Sequence, residues 1–336
     1  VRNLAVVGAG GLVGRRVVRN LSKSNIDGLE LVLTGLGKSV GTSVPFGDKT
    51  LTIRKTDVND LKSMDAVILC TPTSASRELA DALVGGPVII DTSSAFRMDP
   101  EVPLVVPEVN PEDALSHKGL IAGPNCSTIQ LVMVLKPILS HFGLERVYVS
   151  TYQAVSGVGY QAMEQLEDES ESLLFPSRAK RREYETQFPH QIGFNLIPQI
   201  DSFLDDGYTK EEMKMVNETR KILRIPELRI STTCVRVPVF IGHSEACLVE
   251  TSKAAGLDEL RSVLRAAPGL VVEDDPKNSV YPMPINARDT DEVYVGRIRK
   301  DLSSENGVLL WVVADNLYRG AATNAVNVFN LLAKNL

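Results

Sequence analysis

The stretch of this chain best suited to chemistry is Gly123-Pro124-Asn125-Cys126-Ser127-Thr128. An apolar, strand-like run (Gly119-Leu120-Ile121-Ala122) precedes it, and Ile129 to Lys136 follows with the apolar residues of a buried helix. Gly-Pro marks a tight turn between the two, and Asn125 or Ser127 is placed to cap the helix. Cys126 then lies at the mouth of a helix, where free N–H groups and the positive end of the dipole favour an anion. Such a place favours the thiolate, the form of cysteine that attacks electrophiles. By itself the same stretch also suits a small buried side chain, since free cysteine is often part of a core.

A second chemical signature opens the chain. Leu4-Ala5-Val6-Val7-Gly8 predicts a buried strand, Gly8-Ala9-Gly10-Gly11-Leu12-Val13-Gly14 follows, and a helical pattern runs from Val13 to Leu21. Glycines in this order let a phosphate approach the backbone of Gly8, Gly10, Gly11, Leu12 and Val13 at a helix N-terminus. The same glycines also suit a tight turn with no ligand. The second strand, Leu29 to Thr34, leads into Gly35-Leu36-Gly37-Lys38-Ser39. That stretch has no acid of the kind an NAD ribose calls for, whereas Thr34, Lys38 and Ser39 suit the 2′-phosphate of NADP. Lys38 is equally readable as a solvated loop lysine. Thr71 follows the continuous strand Ala66–Cys70 and offers a small hydroxyl to a cofactor groove. Arg97 lies just beyond the next strand, Val88–Asp91, on the side where open α/β sheets bind ligands.

These groups need elements to hold them. After Cys126 the strand signals come closer together: Arg146–Gln153, Leu228–Val239, Glu245–Val249, Leu270–Val272, Val293–Ile298 and Val308–Val313. With few helices between them they predict a mixed or antiparallel sheet. Ile241-Gly242-His243-Ser244 reads as a turn into one of these strands, and Ser156-Gly157-Val158-Gly159 as a flexible turn. A polar, acidic helix is expected from Gly159 to about Leu174 and a charged surface loop over 176–192. Another helix is expected from Lys210 to about Leu223, with Thr209 and Glu212 at capping-box spacing. A last helix is expected from Ala321 to about Lys334.

Composition sets the limits. The 336 residues allow two domains; 43% are hydrophobic and 23% charged, as in ordinary globular proteins. A net charge of −6 with no long basic run argues against nucleic acid, so any anion site must be built from a few local Arg and Lys residues. No apolar run reaches the roughly 18–20 residues needed to span a membrane. The immediate entry into a strand leaves no room for a signal peptide. The four cysteines are far apart with no C-x-x-C pair, which argues against structural zinc and a disulfide framework. No metal is expected, and a reducing, cytoplasmic compartment is.

Several blocks then occur in a telling order: the Cys126 stretch, Gln153-Ala154-Val155-Ser156-Gly157, Pro189-His190-Gln191-Ile192, Glu211-Glu212-Met213-Lys214, Arg236-Val237-Pro238-Val239 and Gly242-His243-Ser244-Glu245. With Tyr294 to Arg299 and Asp315-Asn316-Leu317 they cover nearly the whole chain, and it resembles the aspartate-β-semialdehyde dehydrogenases. The resemblance implies reversible, NADP-dependent interconversion of L-aspartyl-4-phosphate and L-aspartate-4-semialdehyde, feeding lysine, methionine and threonine biosynthesis. It implies an α/β fold: a Rossmann-like NADP-binding domain (1–126 plus 320–336) and an α+β catalytic and dimerisation domain (127–319). It also implies a homodimer or dimer of dimers. Cys126 maps to the nucleophile, His243 to the acid/base, and Gln153 to the residue that orients the site. Arg236 maps to the ligand of the substrate carboxylate, Glu211 to that of its amine, and Lys214 and Arg97 to those of phosphate. Asn125 joins the substrate set, and Ser156, Gly157 and Asn316 the cofactor set.

The residue types suit that chemistry. A cysteine thioester divides one hard step into two easier ones, and Arg binds a carboxylate through two parallel bonds. Glu211 and Lys214, three apart on a helix, share a face. N-acetyl-glutamyl-phosphate reductase shares the acyl-phosphate chemistry, but an acetylated amine has no need of Glu211. A non-catalytic homologue serving as a binding subunit would be expected to lose Cys126, Gln153 or His243, and all three are present. The chain departs from the family at Gly10, where Thr is frequent, and at Lys38-Ser39, where Arg-Ser is frequent. It departs again at Tyr318, where a basic residue is usual.

Overall fold

The protein is described here by a computed structural model covering residues 3–24, 26, 28–177 and 186–333. These residues fall into two compact units. One lies within Val1–Ile129, Lys221–Leu223 and Tyr318–Leu336, the other within Gln130–Arg220 and Arg224–Leu317.

In the first unit, β1 (Asn3–Val7), α1 (Leu12–Leu21) and β2 (Glu30–Gly35) lead into a hairpin of β3 (Ser43–Phe46) and β4 (Lys49–Thr52). Then come β5 (Arg54–Lys55), α2 (Val58–Lys62), β6 (Ala66–Leu69), α3 (Thr73–Ala82), β7 (Val88–Asp91), α4 (Pro111–Ala114) and β8 (Leu120–Ala122). Six strands form a sheet in the order β5-β2-β1-β6-β7-β8, parallel throughout. Its centre shows why β1 is apolar at every position. Leu4 and Val6 pack with Val17 and Val18 of α1 and with Val326 and Phe329 near the C-terminus. Ala5 and Val7 face the other way, onto Leu61 of α2 and Leu79 and Leu83 of α3. A strand covered on both faces cannot alternate apolar with polar.

Helix α5 (Cys126–Phe142) begins in the first unit and ends in the second. The second unit continues with β9 (Arg146–Gln153), α6 (Tyr160–Leu174), α7 (Lys210–Leu223, its last three residues grouped with the first unit), β10 (Arg229–Arg236), β11 (His243–Glu250) and α8 (Leu257–Ala266). It ends with β12 (Leu270–Val272), α9 (Pro284–Ala287), β13 (Val293–Lys300) and β14 (Gly307–Ala314). The sheet order is β10-β9-β11-β14-β13-β12. Its outer pairs, β10 with β9 and β12 with β13, are parallel and its inner pairs antiparallel, so the sheet is mixed. One face is buried. The other carries Tyr148, Tyr152 and Trp311 partly open to solvent, the last two with ring centroids 5.4 Å apart.

The chain returns to the first unit through a π-helical turn, Tyr318–Thr323, before α10 (Asn324–Ala333). The last helix therefore starts three residues later than expected, and the expected Lys334 lies outside the described residues. So do 178–185 of the loop expected over 176–192. Among the described part of that loop, the N–H groups of Ile192 and Gly193 both donate to Glu169 of α6 at 2.7 Å. The capping box at α7 is present: Thr209 N–H donates to Glu212 Oε2 at 2.7 Å, and Glu212 N–H to Thr209 Oγ1 at 3.3 Å. Such a cap is worth about 1 kcal/mol.

Among the described residues no helix is long and apolar enough to cross a membrane, and no group of three or more His, Cys, Asp or Glu side chains could hold a metal ion.

Candidate active site

The first unit carries the nucleophile turn. Asn125, not Ser127, is the cap: its Oδ1 accepts from Ser127 N–H at 2.9 Å and Thr128 N–H at 3.4 Å. Ser127 is itself buried inside the helix. Cys126 is the first helical residue and the only one from Ile121 to Leu135 that is not buried. Gly320 of the π-turn backs it so closely that a Cβ there would lie 2.6 Å from the Cys126 Cβ. Burial pushes the Cys70 thiol up to about 12, with Asp91 adding to the effect. Burial also pushes up Cys234 and Cys247, both with carboxyl groups nearby.

Arg97 braces this turn. Its Nε donates to the carbonyls of Gly123 at 2.9 Å and Ser93 at 3.0 Å, and its Nη2 to that of Thr92 at 3.2 Å. All three of these bonds go to main-chain oxygens. Asp91 and Ser93 shape the loop: Ser93 Oγ donates to Asp91 Oδ2 at 2.7 Å and accepts from Ala95 N–H at 3.1 Å.

The glycine turn fits a phosphate-bearing dinucleotide. Gly8 has φ +80°, and a Cβ there would collide with the Cys70 carbonyl at 2.2 Å. A Cβ on Gly14 would meet the Gly8 carbonyl at 2.2 Å, so α1 packs directly on the turn. Gly11 is the N-cap of α1, whose first turn (Leu12, Val13) has no acidic residue. At Gly10 a Cβ would lie 2.4 Å from the Ser39 Cβ. Ser39 thus fills the space beside Gly10. Lys38 stands exposed in a single 3-10 turn after β2. The Thr34 carbonyl holds Gly8 and Ala9 N–H at 2.9 and 3.2 Å, and the Thr71 and Ser76 hydroxyls are 2.9 Å apart.

Tyr318 also has a place in this unit. Its buried ring lies under the guanidinium groups of Arg16 and Arg19, 5.3 and 5.6 Å from its centroid. Next to it, buried Arg319 forms a two-pronged pair with Glu108 at 3.0 and 2.6 Å. Burial opposes the charge on Glu108, yet Arg319 holds its carboxyl below the usual range.

In the second unit the register gathers the polar residues at one end of three neighbouring strands. Arg236 is level with Gln153 across β10 and β9, and Tyr152 is level with Ser244 across β9 and β11. Gln153, Arg236 and His243 all point to the buried face. His243 is not in a turn: it is the first residue of β11, opposite Ala314. Gly242, at φ +100°, takes a backbone conformation that side-chain-bearing residues rarely adopt, immediately before the ladder starts.

Hydrogen bonds set each group. Ala154 N–H donates to His243 Nδ1 at 3.0 Å, and Arg236 Nη1 to the Ala154 carbonyl at 2.7 Å. Burial, reinforced by Arg236, keeps the His243 imidazole well below its ordinary pKa, so it is neutral at pH 7. Its Nε2 has no protein partner among the described residues. Gly157 leaves space over both: a Cβ there would lie 3.1 Å from Arg236 Nη1 and 3.6 Å from His243 Nε2. Gln153 Nε2 donates to Glu211 Oε1 at 3.3 Å, and Lys214 Nζ to Glu211 Oε2 at 3.2 Å and to Asp201 Oδ2 at 2.8 Å. Burial would lower the Lys214 ammonium, but Glu211 and Asp201 outweigh it and keep the group charged. Asn316 links Ser156 Oγ, at 3.0 Å from its Nδ2, to Gly242 N–H, at 2.9 Å from its Oδ1.

Asp201, Ala154 and Gly320 went unremarked in the sequence. Ala154 and Gly320 sit beside recognised residues, which is a weak signal. Asp201 is 13 residues from Lys214 in an irregular loop, and only the fold joins them.

The chain is similar to known proteins along nearly its whole length. A family model described as "Semialdehyde dehydrogenase, NAD binding domain" matches residues 3–117, and "Semialdehyde dehydrogenase, dimerisation domain" matches 135–319. The chain is 50% identical over 335 residues to an aspartate-semialdehyde dehydrogenase of Aquifex aeolicus, covering 98% of both chains. It is 43% identical over 343 residues to that of Bacillus subtilis, covering 99% of this chain and 97% of the other. The crystal structure of aspartate semialdehyde dehydrogenase II from Vibrio cholerae complexed with ASA is similar at a TM-score of 0.91 and 39% identity, over 99% of this chain and 98% of that one. An aspartate semialdehyde dehydrogenase from Candida albicans, solved with NADP, is similar at a TM-score of 0.75 and 26% identity, over 100% and 99%.

Proposed function

The chain belongs to the aspartate-semialdehyde dehydrogenase family, and on that premise we propose how its own residues perform the reversible, phosphate-dependent oxidation of L-aspartate-4-semialdehyde to L-aspartyl-4-phosphate. The reaction serves lysine, methionine and threonine biosynthesis, and we place it in the cytoplasm. NADP supplies the hydride acceptor when bound; Gly8, Gly10, Gly11, Leu12 and Val13 would hold its phosphates, with Thr34, Lys38, Ser39 and Thr71 beside them. Ser156, Gly157 and Asn316 complete that set. The domains are taken as 1–126 plus 320–336 for the cofactor and 127–319 for catalysis and dimerisation.

Arg236 binds the substrate carboxylate and Glu211 its ammonium group. The Cys126 thiolate adds to the aldehyde carbon, its C–S bond forming as the carbonyl electrons move to oxygen. His243 Nε2–H donates to that oxyanion, and Gln153 and Asn125 orient the adduct. Once the adduct has become a thioester, Arg97 and Lys214 hold phosphate. A phosphate oxygen adds to the acyl carbon and the Cys126 thiolate leaves. The open aromatic face of the mixed sheet and the matched dimerisation region support a homodimer or dimer of dimers.

The observation that carries this reading is Cys126 itself, partly exposed as the first residue of α5 with Asn125 capping that helix. Cys126→Ala is expected to abolish turnover while leaving NADPH binding, followed by fluorescence, intact. A variant turning over at near wild-type rate contradicts the assignment.

A further inference from the structure

The loop from Arg97 to Val102 is irregular, and irregular backbone must find partners for its carbonyls outside a helix or strand. Three of them converge on one cation. Lys221 Nζ, at the end of α7, donates to the carbonyls of Arg97 at 2.8 Å, Asp99 at 2.7 Å and Val102 at 2.9 Å. An ammonium has three N–H donors on one atom, which matches three convergent oxygens; the planar guanidinium of Arg does not. Within the loop, Asp99 N–H donates to the Phe96 carbonyl at 3.1 Å, Val102 N–H to that of Asp99 at 3.2 Å, and Glu101 N–H to Asp99 Oδ1 at 2.9 Å. At the other end of the same residue, the Arg97 side chain braces Gly123 in the turn that leads to Cys126. The half-buried Lys221 therefore holds the main chain of the residue whose side chain is assigned to phosphate.

We propose that Lys221 is a positioning residue for the phosphate half-reaction: its ammonium clamps the main chain of residues 97–102 and so fixes where the Arg97 guanidinium stands. This rests on the phosphate role given to Arg97 above. Lys221 touches main-chain oxygens, not reactants. Misplacing a substrate-holding group by about 1 Å can cost up to about a hundredfold in rate. A clamp on its backbone thus has kinetic consequences that a stability change does not.

The test compares wild type, Lys221→Met and Lys221→Arg in the oxidative assay, varying inorganic phosphate and semialdehyde separately. Amide hydrogen exchange over residues 97–102 is followed alongside. Lys221→Met is expected to raise the phosphate KM about tenfold, leave the semialdehyde KM within twofold, and speed exchange in the loop. Lys221→Arg, which keeps charge and helix propensity, is expected to move the phosphate KM the same way. A phosphate KM within twofold of wild type in Lys221→Met overturns the proposal, whatever happens to Tm. Absence of phosphate dependence in the wild type would instead sink the functional reading, and loop exchange alone would then decide whether the clamp exists.

Discussion

A backbone N–H can only donate, so the 3.0 Å bond from Ala154 decides which nitrogen of His243 carries the proton. Nδ1 accepts, and Nε2 holds the hydrogen. The sequence, through its family resemblance, suggested an acid/base; the geometry supports the donor half of that role. A neutral imidazole that stabilises an oxyanion by hydrogen bonding need not titrate. Its pKa is depressed, so as pH falls through about 6.5, the ordinary histidine value, the unfolded chain takes up a proton that the folded site refuses. That difference removes some stability at low pH, but it does not protonate the site in the same range. The kcat/KM profile is therefore expected to show no acid limb from His243 between about pH 6 and 7. A limb near pH 6.5 that vanishes in His243→Asn contradicts this. At this scale residue types were readable, because Cys, His, Arg and Glu each suit one task. Their partners were not, since Ala154 and Asp201 contribute through positions that only the fold creates.

On β11, Glu245 lies two residues beyond His243 and so on the same buried face. It is fully buried, and neither carboxyl oxygen has a protein hydrogen-bond partner among the described residues. Burial pushes its pKa well above the ordinary carboxylate value, and Gln130 of α5 relieves this only in part. The sign follows: as pH rises above about 4.3 the unfolded chain releases this proton and the folded one keeps it, so stability is lost with rising pH. Glu245→Gln retains the shape and the neutral state. It is expected to raise Tm, by about 2–4 °C per kcal/mol recovered, and to do so more at pH 8 than at pH 5. Equal Tm changes at the two pH values contradict the buried, protonated state. Elements with local signals were readable in the sequence. Thr209 and Glu212 marked the start of α7, and β1 announced itself by being apolar throughout. The π-turn at Tyr318 was not readable, because its causes are distant: Arg16 and Arg19 flank the ring, and Glu108 holds Arg319. Removing one partner of such a buried pair typically costs about 3–5 kcal/mol. β11 starts at His243, two residues before the expected Glu245, because the bends lie earlier, at Pro238, Phe240 and Ile241.

For the molecule as a whole, a net charge of −6 means that anionic ligands must be met by local cations. In the proposed reading these are Lys38 and Arg97 of the first unit and Lys214 and Arg236 of the second. The crowded strands after Cys126 made a mixed or antiparallel sheet legible, and the sheet is mixed; the Rossmann-like character of the first unit came from the family resemblance. The return of the chain from β14 to the first unit was visible only through the family resemblance, since the apolar stripe of α10 does not say which sheet it covers. A phosphate-dependent dehydrogenase acting through Cys126 must reduce NADP steadily only while phosphate accepts the acyl group. The most direct test is reduction of NADP by purified protein given L-aspartate-4-semialdehyde, with and without inorganic phosphate, and with NAD run beside it. The account predicts steady turnover with NADP and phosphate, at most a stoichiometric burst without phosphate, and little turnover with NAD. Folded protein that shows no phosphate-dependent turnover with either nucleotide, or that prefers the N-acetylated glutamate semialdehyde, would contradict it.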